Sequence, residues 1–145
     1  DLRMSRGLGD VYKRQVQNID YAPTFLELAG VPIPADIQGE SLLPLLKGER
    51  PENWRNSLYY HYYEYPAEHS VKRHYGVRDD RYKLIHFYND IDVWELYDLQ
   101  EDPHEMNNLY GKPSYEAVMK RMRDELYKLQ KQYDDPVGIR FNVSD

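Results

Sequence analysis

Five residues of this chain carry side chains suited to holding a polar ligand: Glu64, His69, Arg73, His74 and Arg78. Glu64-Tyr-Pro-Ala-Glu-His-Ser-Val-Lys-Arg73 is a polar loop between two strand-like runs, and it brings two histidines, His69 and His74, close together in sequence. Histidine exchanges hydrogen bonds with hydroxyl groups as donor or acceptor, and the arginine fork matches carboxylate or sulfate oxygens. This is the chemistry of recognition. The plainer reading of the same residues is a solvated loop followed by a strand residue in a local ion pair.

Spacing offers no machinery for breaking bonds. There is no His-x3-His pair, no Asp-x-Asp with suitable partners and no serine–base arrangement. The total absence of cysteine excludes a thiolate zinc site, a cysteine nucleophile and a disulfide framework within the chain. Asp98-Leu-Gln-Glu-Asp102-Pro-His-Glu105 gathers four carboxylates. Asp102 before Pro103, with Glu105 in the next turn, reads as a turn and helix cap rather than a cation loop. Asp20 likewise reads as a cap. No catalytic residue and no metal ligand is therefore expected here.

The elements that position the loop follow from periodicity. Asn18-Ile-Asp20-Tyr-Ala-Pro23 opens a helix carrying Phe25, Leu26 and Leu28, which Gly30 ends. A short all-round apolar helix follows Ser41 through Leu46, and its leucines require burial against something larger. Between Asn56 and Asp98 the period changes to that of strands: Ser57–Tyr63, His74–Arg78, Arg81–Tyr88 and Val93–Asp98, with links so short that neighbours must run antiparallel. On one strand, Lys83 and His86 differ in parity and face opposite sides, His86 as a packing histidine. Ser114–Tyr133 is the longest helix, with Tyr115, Val118, Met119, Met122, Leu126, Leu129 and Tyr133 forming its apolar stripe. Trp94 is expected beneath that helix, and Trp54 at a domain junction.

The fold class expected is α+β: a small four-stranded antiparallel sheet with one long packed helix, preceded by helical elements that belong to another layer. Residues 1–15 read as a non-native scar or disordered arm, 16–50 as the end of a larger domain, 51–135 as the small domain and 136–145 as a loose tail. The 145 residues carry a net charge of −6 with dispersed lysine and arginine, which argues against nucleic acid. No apolar run approaches the roughly 20 residues of a membrane span. Fifteen tyrosines against three phenylalanines suit surfaces with one wet and one dry edge.

Five pieces, in order, resemble the C-terminal portion of type I, formylglycine-dependent sulfatases. They are Asn18-Ile-Asp-Tyr-Ala-Pro-Thr-Phe-Leu-Glu-Leu-Ala-Gly-Val-Pro-Ile-Pro34, Gln38-Gly-Glu-Ser-Leu-Leu-Pro-Leu-Leu-Lys-Gly48, Tyr75-Gly-Val-Arg-Asp-Asp-Arg-Tyr-Lys-Leu-Ile85, Glu95-Leu-Tyr-Asp-Leu99 and Asp102-Pro-His-Glu-Met-Asn-Asn-Leu109. The stretch Tyr62 to Gly76 narrows the resemblance to bacterial enzymes of sulfated sugars, with N-acetylglucosamine 6-sulfatase-like members nearest. The resemblance implies a parent with an alkaline-phosphatase-like α/β domain that hydrolyses sulfate esters with formylglycine beside a calcium ion.

Both groups are expected in a missing N-terminal sulfatase domain, since this chain has no Cys/Ser-x-Pro-x-Arg motif. The chain itself is then inactive and supplies substrate-binding residues. His69 and His74 would contact the sugar, with Arg78 nearby as a sulfate or carboxylate partner and Glu64 and Arg73 completing the loop. The expected partner is a sulfated carbohydrate, and the expected location is periplasmic or secreted. Rival readings are a non-catalytic carbohydrate-binding or interface module, and a phosphodiesterase-type member of the same superfamily.

Overall fold

The computed structural model describes residues 15–49 and 51–142. The chain divides into two compact units, residues 1–58 and 59–145. The expectation for residues 1–15 lies, except for Gln15, outside the described residues.

In the first unit, a 3-10 turn at Asn18–Asp20 leads into α1, Tyr21–Leu28, and α2 spans Leu43–Leu46. Asp20 does not cap α1. Its carboxylate is fully buried and accepts the Gln17 amide at 2.7 Å, the Glu40 amide at 3.0 Å and Nη2 of Arg55 at 2.6 Å. A carboxylate withdrawn from water needs a counter-charge, and one capped amide would not offset that desolvation. Trp54 is buried, its indole Nε1 donating to the Gln15 carbonyl at 3.2 Å. Trp54 and Arg55 thus lie in the first unit. Gly39 is required for close approach: a Cβ there would lie 2.0 Å from the carbonyl oxygen of Ile19. Tyr21, Phe25 and Leu28 recur on one face of α1 and are more than half exposed.

The second unit is α+β. Strands β1 (Leu58–Tyr62), β2 (His74–Arg78), β3 (Tyr82–Phe87) and β4 (Val93–Asp98) form a sheet in the order β1-β2-β3-β4. Both β2–β3 and β3–β4 are antiparallel, pairing Gly76 with Ile85 and Ile85 with Glu95. At the β2–β3 turn, Oδ1 of Asp79 accepts the amides of Arg81 and Tyr82 at 2.8 and 2.6 Å, an aspartate-stabilised turn. Helix α3, Glu116–Gln132, follows a 3-10 turn and places Met122, Leu126 and Leu129 on Tyr75, Val77, Leu84 and Leu96. This is the single-stripe helix on a sheet that the periodicity predicts.

The stretch expected to be a loose tail departs from that expectation. Pro136–Asn142 forms helix α4, because Oδ1 of Asp135 accepts the amides of Val137 and Gly138 at 3.1 and 2.9 Å. Asp135 is the N-cap, and Pro136 takes the first helical position, where a missing N–H costs little. Among the described residues no helix is long and apolar enough to cross a membrane.

Candidate functional site

Strand parity sorts the sheet into two faces. Tyr75, Val77, Leu84, His86 and Leu96 point to α3, while His74, Gly76 and Arg78 point the other way, opposite Phe87, Ile85 and Lys83. The half-buried His74 ring lies near-parallel to Tyr62 at 5.5 Å, 5.0 Å from Phe87 and edge-on to Tyr60 at 5.9 Å. Its Nδ1 is 2.8 Å from the Lys72 carbonyl, which only accepts, so Nδ1 carries the proton. In the neutral ring Nε2 is then the acceptor, which suits a ligand hydroxyl. Gly76 makes room for Tyr60: a Cβ there would lie 2.5 Å from the Tyr60 hydroxyl and 2.7 Å from the Leu84 carbonyl oxygen. Burial, then the charges of Glu105 and Glu95, raises the Tyr60 pKa, so that phenol stays a neutral donor.

Arg73 is turned to the loop itself. Nε donates to the Tyr63 carbonyl at 3.1 Å, Nη2 donates to the Tyr65 carbonyl, and Nη1 lies 3.4 Å from Asp90. The Lys72 ammonium sits over the Tyr65 ring, 3.9 Å from its centre, and donates to the Tyr65 hydroxyl. These contacts hold both ends of the loop. Glu64 and His69 stand exposed on it, and no hydrogen bond or ion pair joins either to His74 or Arg78 among the described residues. Arg78, exposed at the end of β2, forms no ion pair among the described residues. The structure thus gathers His74 with Tyr60, Tyr62 and the Arg73-braced loop base.

The acidic run is occupied. Asp98, 1% exposed, accepts Nη2 of Arg81 at 2.7 Å, and that guanidinium holds its carboxyl below the usual range. Asp102 accepts the Asn107 amide at 2.7 Å, and Glu105 pairs with Lys83 at 2.6 Å. Among the described residues no group of three or more His, Asp or Glu is arranged to hold a metal ion. With their oxygens engaged by cations and amides of this chain, these carboxylates do not fit a calcium ion, which the resemblance implies for the N-terminal domain instead. His86 is buried between a donor and an acceptor: Nε2–H donates to Asp92 and Nδ1 accepts from the Tyr75 hydroxyl, both at 2.7 Å. Its ring stacks on Trp94.

Spacing did not reveal a second polar cluster. Nδ1–H of His61 donates to Oδ2 of Asp135, the Tyr59 hydroxyl donates to the same oxygen at 2.5 Å, and Nε2 of His61 meets the Tyr88 hydroxyl at 2.6 Å. Burial lowers the His61 pKa against the opposing pull of Asp135. Burial alone would raise Asp135, but the Gly138 amide, Tyr59 and His61 outweigh it and hold the carboxyl low. Desolvation pushes Tyr88 up to about 12. The sequence signal was Asp135-Pro136, a helix start inside an apparent tail.

This architecture is shared with hydrolases of the alkaline phosphatase superfamily. A phosphonate monoester hydrolase of Agrobacterium radiobacter superposes with a TM-score of 0.70 at 27% identity, over 83% of this chain and 26% of that one. A solved structure described as a complex with its substrate D-glucosamine-2-N,6-O-disulfate superposes with a TM-score of 0.79 at 55% identity, over 87% of this chain and 25% of that one. Residues 6–132 match the family described as N-sulphoglucosamine sulphohydrolase, C-terminal, and the chain belongs to that sulfatase family. The N-acetylglucosamine-6-O-sulfatase of Bacteroides thetaiotaomicron is 60% identical over 120 residues, 81% of this chain. The chain spans about a quarter of the length of these relatives or less.

Proposed function

We propose that this chain is the C-terminal part of a sulfatase hydrolysing sulfate esters of sulfated glycans, with N-acetylglucosamine 6-sulfate as the leading unit. In this reading the nucleophile and calcium site lie elsewhere in the parent protein, and the present residues bind substrate. The 60% identity to an N-acetylglucosamine-6-O-sulfatase carries the reading. The exposed face of α1 supports it, since Tyr21, Phe25 and Leu28 have the character of a surface made to be covered. On this reading the parent works in the periplasm or outside the cell.

His74 offers its Nε2 to a sugar hydroxyl, Tyr60 and Tyr62 flank it, and Arg78 is an exposed cation for a sulfate or carboxylate. His69 and Glu64 sit on the loop that Arg73 braces. Sulfate ester cleavage needs a strong nucleophile and charge screening of the sulfuryl oxygens, which a loop of this kind does not supply. Its contribution is positioning, which affects KM and kcat/KM.

The test is sulfate release from N-acetylglucosamine 6-sulfate by the complete open reading frame, with His74→Ala compared to the unaltered enzyme. A loss of about 10-fold or more in kcat/KM is expected, the scale of one well-made polar contact. Unchanged kinetics would remove His74 from the site. The likeness to a phosphonate monoester hydrolase favours a second reading, phosphonate or phosphodiester hydrolysis. Turnover of those esters without sulfate release would establish it.

A further inference from the structure

Three rings form a column in the second unit. His86 stacks on Trp94 at 4.0 Å with 6° between planes, and Trp94 on Tyr110 at 5.6 Å with 12°. The His86 end is fixed by the Tyr75 hydroxyl and by Asp92. The Tyr110 end lines an open cavity of about 510 Å³, together with Met119, Glu116, Lys120, Arg123 and Asp124. The Gly111 amide donates to Sδ of Met119 at 3.1 Å, fixing the loop against the helix. The Arg123 guanidinium lies 5.2 Å from the centre of the Trp94 ring, and Lys120 pairs with Asp124 at 2.9 Å.

The lining chemistry selects the ligand. A fixed aromatic ring and a thioether provide an apolar floor, around which stand two cations and two carboxylates of balanced charge. A polyanion gains little there, because Glu116 and Asp124 cancel Lys120 and Arg123. A purely apolar ligand would have to desolvate all four charges. A sugar ring suits both features, laying its C–H face on the aromatic ring while its hydroxyls donate to carboxylates and accept from cations. We propose that this cavity is a carbohydrate-binding site for an unsulfated hexose unit of a glycan. The proposal goes beyond the sulfatase reading and does not depend on it, because every residue it uses lies in this chain.

The test is a nuclear magnetic resonance titration of the full 15N-labelled chain with an N-acetylglucosamine tetramer and, separately, a heparin tetrasaccharide. Saturable shifts of the Gly111 amide and the Trp94 indole N–H are expected with the neutral sugar, in the millimolar range of a shallow open site. Lys120→Ala and Tyr110→Ala should each weaken binding about 5-fold or more, the loss of roughly one hydrogen bond or stacking contact. Lys120 is 78% exposed, so its variant folds as the parent does even if Tyr110→Ala does not. The proposal is overturned by an absence of shifts at tens of millimolar sugar, by shifts that Lys120→Ala leaves unchanged, or by binding of the heparin fragment alone.

Discussion

His61 and Asp135 lie 74 residues apart, yet the Nδ1–H of one is donated to Oδ2 of the other, while Oδ1 of the same aspartate caps α4. One carboxylate therefore ties strand β1 to the last helix. Removing it takes away an acceptor shared by the buried Tyr59 hydroxyl and the His61 N–H and deprives α4 of its cap. Asp135→Ala should destabilise the chain by about 2–3 kcal/mol, combining the loss of a charged buried acceptor with a lost N-cap. Urea unfolding followed by circular dichroism reads this as a lower midpoint, and an unchanged midpoint would show that α4 is held by other contacts.

The same cluster gives the chain a pH dependence of defined sign. In the folded chain burial lowers the His61 pKa, and Asp135 is also held low. Both groups bind protons more readily when unfolded, so both contributions are complete above their ordinary values and fade on acidification. The His61 loss begins near pH 6.5 and the Asp135 loss below about pH 4. Unfolding midpoints measured from pH 7.5 to pH 5 should fall steadily, and His61→Gln should flatten that slope. Parallel slopes for the two proteins would assign the effect to other groups.

The legible parts of this protein are those in which local pattern and global fold agree. The α3 stripe from Val118 to Leu129, the aspartate turn at Asp79 and the strand alternation around His74 all state their partners through periodicity. Contacts between distant residues were not legible. Asp20 resembles a cap because the Arg55 that claims it stands 35 residues away, and the buried role of Asp135 is hidden because two of its partners, Tyr59 and His61, come from β1. Arg73 follows the same rule: residue type gives an anion binder, but a loop that turns its carbonyls inward recruits the guanidinium first.

Gly76 tests the packing of the His74 face. A methyl group there meets the Tyr60 hydroxyl at 2.5 Å, the mobile end of a side chain, and the Leu84 carbonyl oxygen at 2.7 Å, which belongs to the neighbouring strand. Tyr60 can swing away, but the carbonyl moves only by deforming the β2–β3 ladder. Gly76→Ala should cost about 1–3 kcal/mol, the range of overpacked cores, despite the higher intrinsic strand preference of alanine. A thermal melt that shifts upward would mean the sheet yields more easily than its register implies.

Arg73 sets the shape of the loop through two backbone carbonyls, those of Tyr63 and Tyr65, and through Asp90. A lysine at this position keeps the charge but presents a single point donor, so it can reach one carbonyl and not span both. Arg73→Lys should therefore leave global stability within about 1 kcal/mol, the scale of one exchanged hydrogen bond, while loosening residues 64–72. Hydrogen exchange of those amides should accelerate about 5- to 10-fold, as expected when roughly 1 kcal/mol of local opening energy is lost. If the loop has the substrate-binding role proposed above, the same variant in the complete open reading frame should raise KM more than it lowers kcat, because such a loop contributes mainly to ground-state affinity. Equal exchange rates in the two proteins would mean that the loop is held by Lys72 and Tyr65 instead. A fall in kcat alone would place Arg73 against the reacting group and not behind the loop.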